Sequence, residues 1–422
     1  MARGVAGVRA AIVASGSELV RGDRPDRNGP YLAADLLRRG VVPARITIVG
    51  DDRSDFEHVL REGLEHDLLV VSGGLGPTHD DLTIELLAHA AGVGLHVDDE
   101  LEAAIEELSR SVATRLQRPY ADFVPGVRKQ ATLPDGAEWV GLVGTAPAVV
   151  LPLGDRVAVA LPGPPRELQE LWPRVCTTAP MQRLLARAIV PRRRVLRMFG
   201  VSESSVAKAL ADAGGDGGGV DVTICAREFE LYIDLFVQPG ADARADELER
   251  AFESAAGPYV FSHDERSTAE LVVDLLRDRG LTLGTAESCT GGLVAARITD
   301  VPGSSDVFLG SIVSYSDSVK RERLGVPADV LATHGAVSAE TAAAMAAGAR
   351  EALGVDVAVS ITGVAGPGGG TEEKPVGLVY LHAVGPAGEL SRRLAFPGDR
   401  ETIRLRAAVA ALHLVRRLVT KS

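Results

Sequence analysis

The sequence predicts an α/β fold built on parallel sheets and divided into two or three domains. The chain of 422 residues is longer than one hydrophobic core usually supports. Its first part alternates short apolar strands at 10–15, 45–49 and 68–72 with helices at about 29–39 and 54–64. This is the rhythm of parallel strands joined by right-handed crossovers. Its last third contains three more apolar strands, each of which leads into a polar or glycine-rich turn.

We place the domain boundaries where the character of the sequence changes. Residues 1–175 form the first predicted α/β domain, 176–262 a small α+β module, and 263–422 the second α/β domain. The module contains a helix capped at Ser202 and a strand at 229–236. It has no grouping of residues that suggests chemistry, so we interpret it as a link between the two larger domains.

Composition and charge exclude several classes of function. The net charge of −12 argues against nucleic acid as a main partner, and the basic run at 192–194 is too short to change that. No apolar run approaches the length that crosses a membrane, and the N-terminus has Arg3 and Arg9 but no apolar signal region. Three widely spaced cysteines fit a reducing compartment: Cys176, Cys225 and Cys289. We therefore expect a cytoplasmic protein with no membrane partner.

The first glycine-rich turn follows the strand at 68–72. It contains, in order, Gly73, Gly74, Gly76 and Thr78, and then Asp80 and Asp81. The spacing matches neither a dinucleotide fingerprint nor a Walker loop. Such a turn before a helix can still hold a phosphate, and the two aspartates offer hard oxygen ligands for a divalent cation. Alternatively, the threonine and the aspartates only cap the helix. Spacing alone leaves both interpretations open.

The second turn is the stretch around which we expect the main chemistry. A strand at 281–285, predicted to be half-buried, runs into Glu287, Ser288 and Cys289, and a helix starts at about 293. Between them lie Thr290, Gly291 and Gly292. Unpaired N–H groups at such a helix start attract anions and can stabilise an oxyanion. Glu287 is either a cap or part of the pocket.

Two later strands point back to this turn. The strand at 307–315 ends at Tyr315 and is followed by Lys320, and the strand at 355–362 ends at Thr362. Ligands in open α/β sheets bind beyond the carboxyl ends of strands, so these residues are expected to converge on Ser288.

Lys320 can serve as the base for Ser288 only if its pKa falls from about 10.4. A fall of about three units costs on the order of 4 kcal/mol and requires burial or a neighbouring positive charge. Arg400 could supply that charge, or could instead hold a substrate phosphate. The alternatives are that Lys320 is only a solvated helix residue, and that Cys289 is the nucleophile.

The residues of the last third resemble the C-terminal domain of the CinA family over roughly 266–420. The resemblance is carried by motifs at 286–292, 313–316, 334–338, 361–367 and 373–377. It implies a nicotinamide mononucleotide (NMN) amidohydrolase that releases ammonia and needs no metal cofactor.

The same resemblance implies roles for individual residues of the second domain. Ser288 is the nucleophile, Lys320 the base, Tyr315 a hydroxyl bridging the two, and Thr362 a group that orients the amide. Further substrate contacts are expected from Thr290, Gly291, Gly292, Gly363 and Arg400.

The first domain resembles the N-terminal domain of the same family, which has a molybdopterin-binding-like, doubly wound α/β fold. The matches lie at 73–83, 128–131, 144–147 and 161–167. They imply an ADP-ribose pyrophosphatase that uses a divalent metal (cobalt, magnesium or manganese) at Asp80 and Asp81.

Further ligand contacts in the first domain are implied for Glu18, Asp26, Asn28, Gly73, Gly74, Gly76 and Thr78. Ser17 and Arg27 depart from the family pattern, which has Asn in a Gly-Asn-Glu and Thr in an Asp-Thr-Asn at these positions.

The functional prediction is therefore an enzyme that acts on NMN and on ADP-ribose or other NAD derivatives, expected as a homodimer. The competing hypothesis is a non-catalytic protein that binds a molybdopterin-like ligand and regulates DNA uptake or the response to DNA damage.

Overall fold

The computed structural model describes residues 7–421, so Arg3 lies outside the described part of the chain. The chain divides into two units. The first extends to Arg192 and also includes Val237–Asp242, and the second comprises Arg193–Phe236 and continues from Ala243. The small module thus shares a unit with the last third of the chain.

The first unit is built on one mixed sheet. Its strands are β1 (Arg9–Ser15), β2 (Val42–Val49), β3 (Leu68–Ser72), β4 (Leu95–Val97), β5 (Thr132–Pro134), β6 (Glu138–Leu142), β7 (Pro147–Leu153) and β8 (Arg156–Leu161). Its helices are α1 (Ser17–Val20), α2 (Asn28–Arg38), α3 (Arg53–Gly63), α4 (Thr83–Ala91), α5 (Asp99–Leu116), α6 (Val124–Gln130), α7 (Pro165–Cys176) and α8 (Ala179–Leu185). Six strands pair in the order β2-β1-β3-β8-β7-β6, and β4 pairs with β5.

The sheet is doubly wound, as predicted. Strands β2, β1, β3 and β8 are parallel, and β7 runs antiparallel to both of its neighbours. Helices α2 and α7 pack on one face of the sheet and α3 and α4 on the other, which forms two apolar cores. The chain leaves β1 for β2 on one side and then returns to β3 on the other. The carboxyl ends of β1 and β3 are therefore a topological switch point, the usual ligand position in such sheets.

The second unit contains two sheets. Its strands are β9 (Arg192–Phe199), β10 (Val220–Arg227), β11 (Glu230–Val237), β12 (Val260–Ser262), β13 (Leu283–Glu287), β14 (Phe308–Val313), β15 (Val357–Gly363), β16 (Leu378–Gly385) and β17 (Gly388–Ala395). Its helices are α9 (Glu203–Asp212), α10 (Asp242–Ala256), α11 (Thr268–Asp278), α12 (Leu293–Thr299), α13 (Asp317–Leu324), α14 (Ala328–His334), α15 (Ala339–Leu353) and α16 (Arg400–Thr420). The sheets have the orders β10-β11-β9-β12 and β14-β13-β15-β16-β17.

Strand β13, which lies between β14 and β15 in the five-stranded sheet, corrects one sequence prediction. We expected a half-buried strand at 281–285, but β13 lies two residues later and is buried at every position. Leu283 packs in the core beneath α11, α12 and α16, whereas Ala286 packs in the core beneath α13 and α15. Both faces of the sheet are covered, so the small and polar residues of this strand are buried as well.

A buried polar cluster connects the four-stranded sheet of this unit with helices α11 and α16. The Glu230 carboxylate on β11 lies 2.6 Å from Nε2 of His413 on α16, and it accepts hydrogen bonds from the hydroxyls of Thr268 and Tyr232. The His413 ring stacks on Phe199 with centroids 3.8 Å apart. Burial and the adjacent imidazole have opposite effects on Glu230, and the net result is a lowered pKa.

Among residues 7–421, no helix combines the length and apolar character needed to cross a bilayer.

Candidate functional site

Three parallel strand ends meet in the second unit. Strand β13 pairs in parallel with β14 on one side and β15 on the other. Ser288 directly follows β13, Tyr315 lies two residues beyond β14, and Thr362 is the penultimate residue of β15. The expected convergence beyond the carboxyl edge of this sheet is therefore present.

Ser288 and Lys320 are in contact at this edge. Lys320 Nζ lies 3.2 Å from Ser288 Oγ and 2.9 Å from the carbonyl oxygen of Ser314. Lys320 is only 1% exposed and Ser288 8%. A hydroxyl and an amine at hydrogen-bond distance in a largely dry site are the components of Ser–Lys nucleophilic catalysis.

Burial controls the protonation of this lysine. Desolvation lowers the pKa of Lys320, while Asp317, whose carboxylate is 4.0 Å away, opposes the shift. Arg400 is not among the causes. Of the two requirements considered from the sequence, burial is therefore the one that operates. The interpretation of Lys320 as a solvated residue is wrong.

The local sequence places Lys320 in this position. The Ser316 side chain accepts a hydrogen bond from the amide of Val319 and so caps α13. Lys320 is in the first turn of that helix, and its amide bonds back to the carbonyl of Ser316. The side chain is thereby directed beneath the end of β14 rather than into solvent.

Glu287 is a buried cap. Its carboxylate accepts hydrogen bonds from the amides of Gly292, Val294 and Ala295 at 2.9–3.1 Å, and the Gly291 amide donates to the carbonyl of Ser288. The N–H groups of Gly291 and Gly292 are thus engaged internally. Both glycines have positive φ, 61° and 100°, which the tight turn before α12 requires.

The remaining amides of the turn are those of Cys289 and Thr290. Within the described residues, neither amide donates to an oxygen of another residue, and both lie at the Cys289 sulfur, where their hydrogen bonds oppose the rise in the pKa of the thiol. Their carbonyl oxygens accept hydrogen bonds from Arg404, at 3.1 Å and 2.8 Å. Because Arg404 fixes these two carbonyls, it also fixes the orientation of the peptide planes at the start of α12.

The Cys289 side chain is directed into the protein interior. It belongs to the apolar core of the unit, and burial raises the pKa of its thiol to about 12. A thiol in that state is protonated at neutral pH and is a poor nucleophile. Ser288 therefore faces the lysine without competition from its neighbour.

The other predicted residues occupy several different environments. Tyr315 is 61% exposed, and its hydroxyl accepts a 2.8 Å hydrogen bond from Arg400, which also donates to the carbonyl of Gly366. Only the carbonyl of Tyr315 approaches Lys320, at 3.5 Å, so in this conformation its hydroxyl does not bridge the Ser–Lys pair. The buried Thr362 hydroxyl donates to the carbonyl of Ala336 at 2.6 Å.

Two further placements concern Gly363 and Arg404. A Cβ atom at position 363 would lie only 2.6 Å from the carbonyl oxygen of Leu378. Close packing against β16 therefore explains why this residue is a glycine. Sequence reasoning missed Arg404. The available signal was its position four residues after Arg400, which places both guanidinium groups on one face of α16.

The glycine loop of the first unit lies at the switch point. Gly73 and Gly74 have φ of 103° and 64°, and the Gly73 carbonyl accepts a 2.7 Å hydrogen bond from Thr83 at the start of α4. Side chains at these glycines would collide with Ser15 or Thr83. The loop therefore needs glycine for its conformation, whatever ligand it holds.

A cavity of about 340 Å³ lies beside this loop. It is lined by the glycines and by five carboxylate residues, namely Glu18, Asp51, Asp80, Asp81 and Glu167. The Thr78 hydroxyl donates to the carboxylates of Asp80 and Asp81. Partial burial raises the pKa of Glu167.

A second cavity, of about 620 Å³, adjoins the first and shares Ser15, Glu18, Gly163 and Pro164 with it. Asn28 lies at its buried side, where its amide donates to Ser72 Oγ at 2.8 Å and to the carbonyl of Gly163 at 2.7 Å. Asp26 accepts hydrogen bonds from the amides at the start of α2. Both predicted residues therefore order the cavity wall.

The aspartates fit one mode of cation binding. Within residues 7–421, no group of three or more His, Cys, Asp or Glu residues is placed to hold a metal by itself. Two carboxylates beside a phosphate-binding loop are nevertheless the usual set for a cation that also takes ligands from substrate phosphates. Asp80 and Asp81 fit a metal of that kind and not a permanently bound ion.

Comparison with known proteins agrees with this architecture. Residues 265–419 match the model of the CinA C-terminal domain, and residues 11–181 match that of a probable molybdopterin binding domain. A CinA-like protein of Mycobacterium avium (strain 104) is 44% identical over 432 residues, with 98% of each chain covered. The CinA-like protein of Mycobacterium tuberculosis (strain ATCC 25618 / H37Rv) is 43% identical over 422 residues, covering 98% of this chain and 97% of that one.

A solved structure covers one part of the chain. The crystal structure of competence/damage inducible protein CihA from Agrobacterium tumefaciens is 40% identical, with a TM-score of 0.35, and covers 37% of this chain and 99% of that chain.

The fold and the sites define a two-part α/β protein, with a molybdopterin-binding-like unit and a unit that contains a buried Ser–Lys pair. Full-length relatives at 44% identity identify the family: the chain belongs to the CinA family. The fold class and the resemblance predicted from the sequence are both confirmed.

Proposed function

We propose that the second unit is an amidohydrolase that converts NMN and water to nicotinate mononucleotide and ammonia. The observation that carries the proposal is the 3.2 Å separation of Ser288 Oγ and Lys320 Nζ, with a lysine that is 1% exposed. Burial favours the neutral amine, the only form of lysine that can accept a proton.

The reaction proceeds in two stages. Ser288 Oγ attacks the carboxamide carbon while Lys320 Nζ takes the hydroxyl proton, and the carbonyl oxygen becomes a tetrahedral oxyanion. Lys320 then returns the proton to the leaving nitrogen, so that ammonia departs and an acyl-enzyme remains. A water molecule, deprotonated by the same amine, attacks the ester carbon, and the ester bond breaks as the amine returns the proton to Ser288 Oγ, which frees nicotinate mononucleotide as the carboxylate.

The turn after β13 supports oxyanion binding. The amides of Gly291 and Gly292 donate to internal acceptors, so the role expected of this turn passes to those of Cys289 and Thr290. The Thr290 amide shares a peptide plane with the Cys289 carbonyl, which Arg404 holds, and the Cys289 amide shares one with the Ser288 carbonyl, which accepts from the Gly291 amide. A preorganised donor pair of this kind is worth more in a buried site than in water.

Arg400 supports phosphate recognition. It is exposed at the start of α16, where one of its nitrogens reaches Tyr315 and another reaches the Gly366 carbonyl. A guanidinium at the rim of the site suits the 5′-phosphate of a mononucleotide, because it can form two parallel hydrogen bonds with it.

The test is ammonia release from NMN by the purified full-length protein without added metal. We expect release by the wild type and none by Ser288→Ala, while Ser204→Ala, an exposed serine on α9 of the same unit, retains full activity. Absence of ammonia from the wild type, or unchanged release by Ser288→Ala, would refute the proposal. Binding of a pterin with no turnover would instead favour the non-catalytic hypothesis.

We also propose a metal-dependent pyrophosphatase activity for the first unit, acting on ADP-ribose or another NAD derivative. The supporting observation is the carboxylate-lined cavity beside a glycine loop at the switch point. The loop would hold the diphosphate, and Asp80 and Asp81 would hold a divalent cation that neutralises charge on it.

This second activity is tested separately. With ADP-ribose and cobalt we expect AMP and ribose 5-phosphate from the wild type and none from Asp80→Asn. The matched control is Asp122→Asn, in a short turn that does not line the cavity. No AMP with cobalt, magnesium or manganese would refute this proposal and leave the deamidase unaffected.

A further inference from the structure

Two arginines line the larger cavity of the first unit. Arg24 and Arg27 both line the 620 Å³ space and are both exposed. Neither side chain forms an ion pair or hydrogen bond with another residue of the described chain 7–421. Nearby arginines of the same unit behave differently, since Arg39 binds Asp35 and Arg45 binds Glu62.

The absence of partners is informative because acidic groups are abundant. The chain has 57 Asp and Glu residues against 45 Lys and Arg, and Glu18 and Asp26 line the same cavity. The Asp26 carboxylate is occupied with the amides of Asn28 and Gly29. Two exposed arginines therefore line one space without an ion pair to either of its carboxylates, a combination that favours an anionic ligand.

The two joined cavities differ in charge. The smaller has five carboxylates, including the shared Glu18, and the glycine loop, whereas the larger has the two arginines together with Glu18 and Asp26. A ligand spanning both would place its diphosphate and cation beside the carboxylates. Its far end, in the larger cavity, would then lie against the arginines.

We propose that this far end carries a phosphomonoester, bound by Arg24 and Arg27. The ligand class is a nucleoside diphosphate derivative with an additional phosphate on its ribose, at the 2′ or the 3′ position. The planar guanidinium matches a phosphate monoester through paired N–H···O bonds.

The inference rests on the proposed pyrophosphatase, which would cleave the P–O–P bond of such a ligand. Water adds its hydroxyl to one phosphorus and a proton to the other phosphate oxygen, so the products are two phosphomonoesters. One of them is a nucleoside bisphosphate, and it keeps the ribose phosphate on the arginines.

The experiment measures binding and is independent of turnover. Isothermal titration of the full-length protein compares AMP, adenosine 2′,5′-bisphosphate and adenosine 3′,5′-bisphosphate. We expect one bisphosphate to bind about tenfold tighter than AMP. The preference should weaken as salt rises, because exposed charge pairs are screened. The comparison of the two bisphosphates identifies the phosphate position.

Variants then locate the effect. Arg27→Thr should reduce the affinity for the preferred bisphosphate to that for AMP. The control Arg21→Thr, an exposed arginine of the same segment that does not line the cavity, should retain the preference. Equal affinity for all three ligands, or a preference that survives Arg27→Thr, overturns the inference.

The two proposals fail in different ways. Hydrolysis of ADP-ribose without a bisphosphate preference overturns this inference and leaves the pyrophosphatase standing. A bisphosphate preference without any hydrolysis supports the inference as a binding site and refutes the pyrophosphatase. Absence of binding by all three nucleotides overturns the inference directly.

Discussion

The two candidate sites differ in how much of their chemistry is assembled before a ligand arrives. In the second unit the reactive atoms are already 3.2 Å apart, and the lysine is 1% exposed with internal acceptors around it. In the first unit, Arg24, Arg27 and Asp80 are exposed around open space. The fold itself lowers the pKa of the buried lysine, whereas the open cavity depends on a ligand and a cation to organise its charges.

The largest predicted effect tests the assembled site. Lys320→Arg should reduce ammonia release from NMN by about 10³-fold, because a guanidinium cannot become a base at neutral pH. Single-turnover assays of ammonia formation measure the loss. Pyrophosphate cleavage by the first unit should be unchanged in the same preparation, and a parallel loss there would show that the two sites are not independent.

The next effect tests the open site. Asp80→Asn should reduce cobalt-dependent formation of AMP from ADP-ribose at least about 100-fold, to the level at which none is detected in the assay proposed above, because one ligand of the cation is lost. Titration with cobalt should show that the loss lies in metal affinity. Ammonia release from NMN provides the internal control, since no metal takes part in that reaction.

A third change tests how rigidly the assembled site is held. Glu287→Gln replaces a carboxylate that accepts hydrogen bonds from the amides of Gly292, Val294 and Ala295. The free energy of unfolding of the second unit should fall by about 2 kcal/mol, the usual difference for buried charge-assisted hydrogen bonds. Urea denaturation measures it. A change below the error of the measurement would mean that the cap does not stabilise the turn.

The pH dependence follows from the lowered pKa of Lys320. Because the neutral amine is the active form, kcat/KM for NMN should rise about tenfold per pH unit up to that pKa and level off above it. The midpoint should lie below 10.5, the ordinary value for lysine. A profile flat from pH 5 to pH 10 would be incompatible with lysine as the base.

The smallest predicted effect is on stability and concerns the cap of helix α15. Ser338 caps α15 by accepting a hydrogen bond from the Thr341 amide at 3.1 Å. Ser338→Ala should cost about 1 kcal/mol of stability and leave kcat for NMN unchanged. Thermal unfolding with a parallel ammonia assay checks both parts, and a large loss of kcat would place this helix closer to the chemistry than the structure does.

Local patterns in the sequence predicted the elements well. The strands at 10–15 and 68–72 and the helix at about 29–39 agree with the structure to within about one residue, because apolar runs and caps are encoded locally. The prediction of a half-buried strand at 281–285 was wrong, because residues far along the chain cover the second face of that strand.

The site was predictable in its residues and less so in its contacts. Ser288 and Lys320 could be paired because parallel strand ends share an edge. The Tyr315 hydroxyl was expected at that pair but bonds Arg400, which lies 85 positions away. Arg404 donates a hydrogen bond to Cys289, which lies 115 positions earlier in the chain. A local sequence pattern cannot predict a contact between residues so far apart.

The cluster around Glu230 has a consequence for dividing the polypeptide. His413 is 1% exposed only while β11 and Phe199 cover it. A fragment that started at residue 265 would expose this imidazole to solvent. It would also expose the apolar surface of α16 beside it. Shortened forms of the protein would therefore need polar substitutions on that apolar surface of α16 to remain soluble at high concentration.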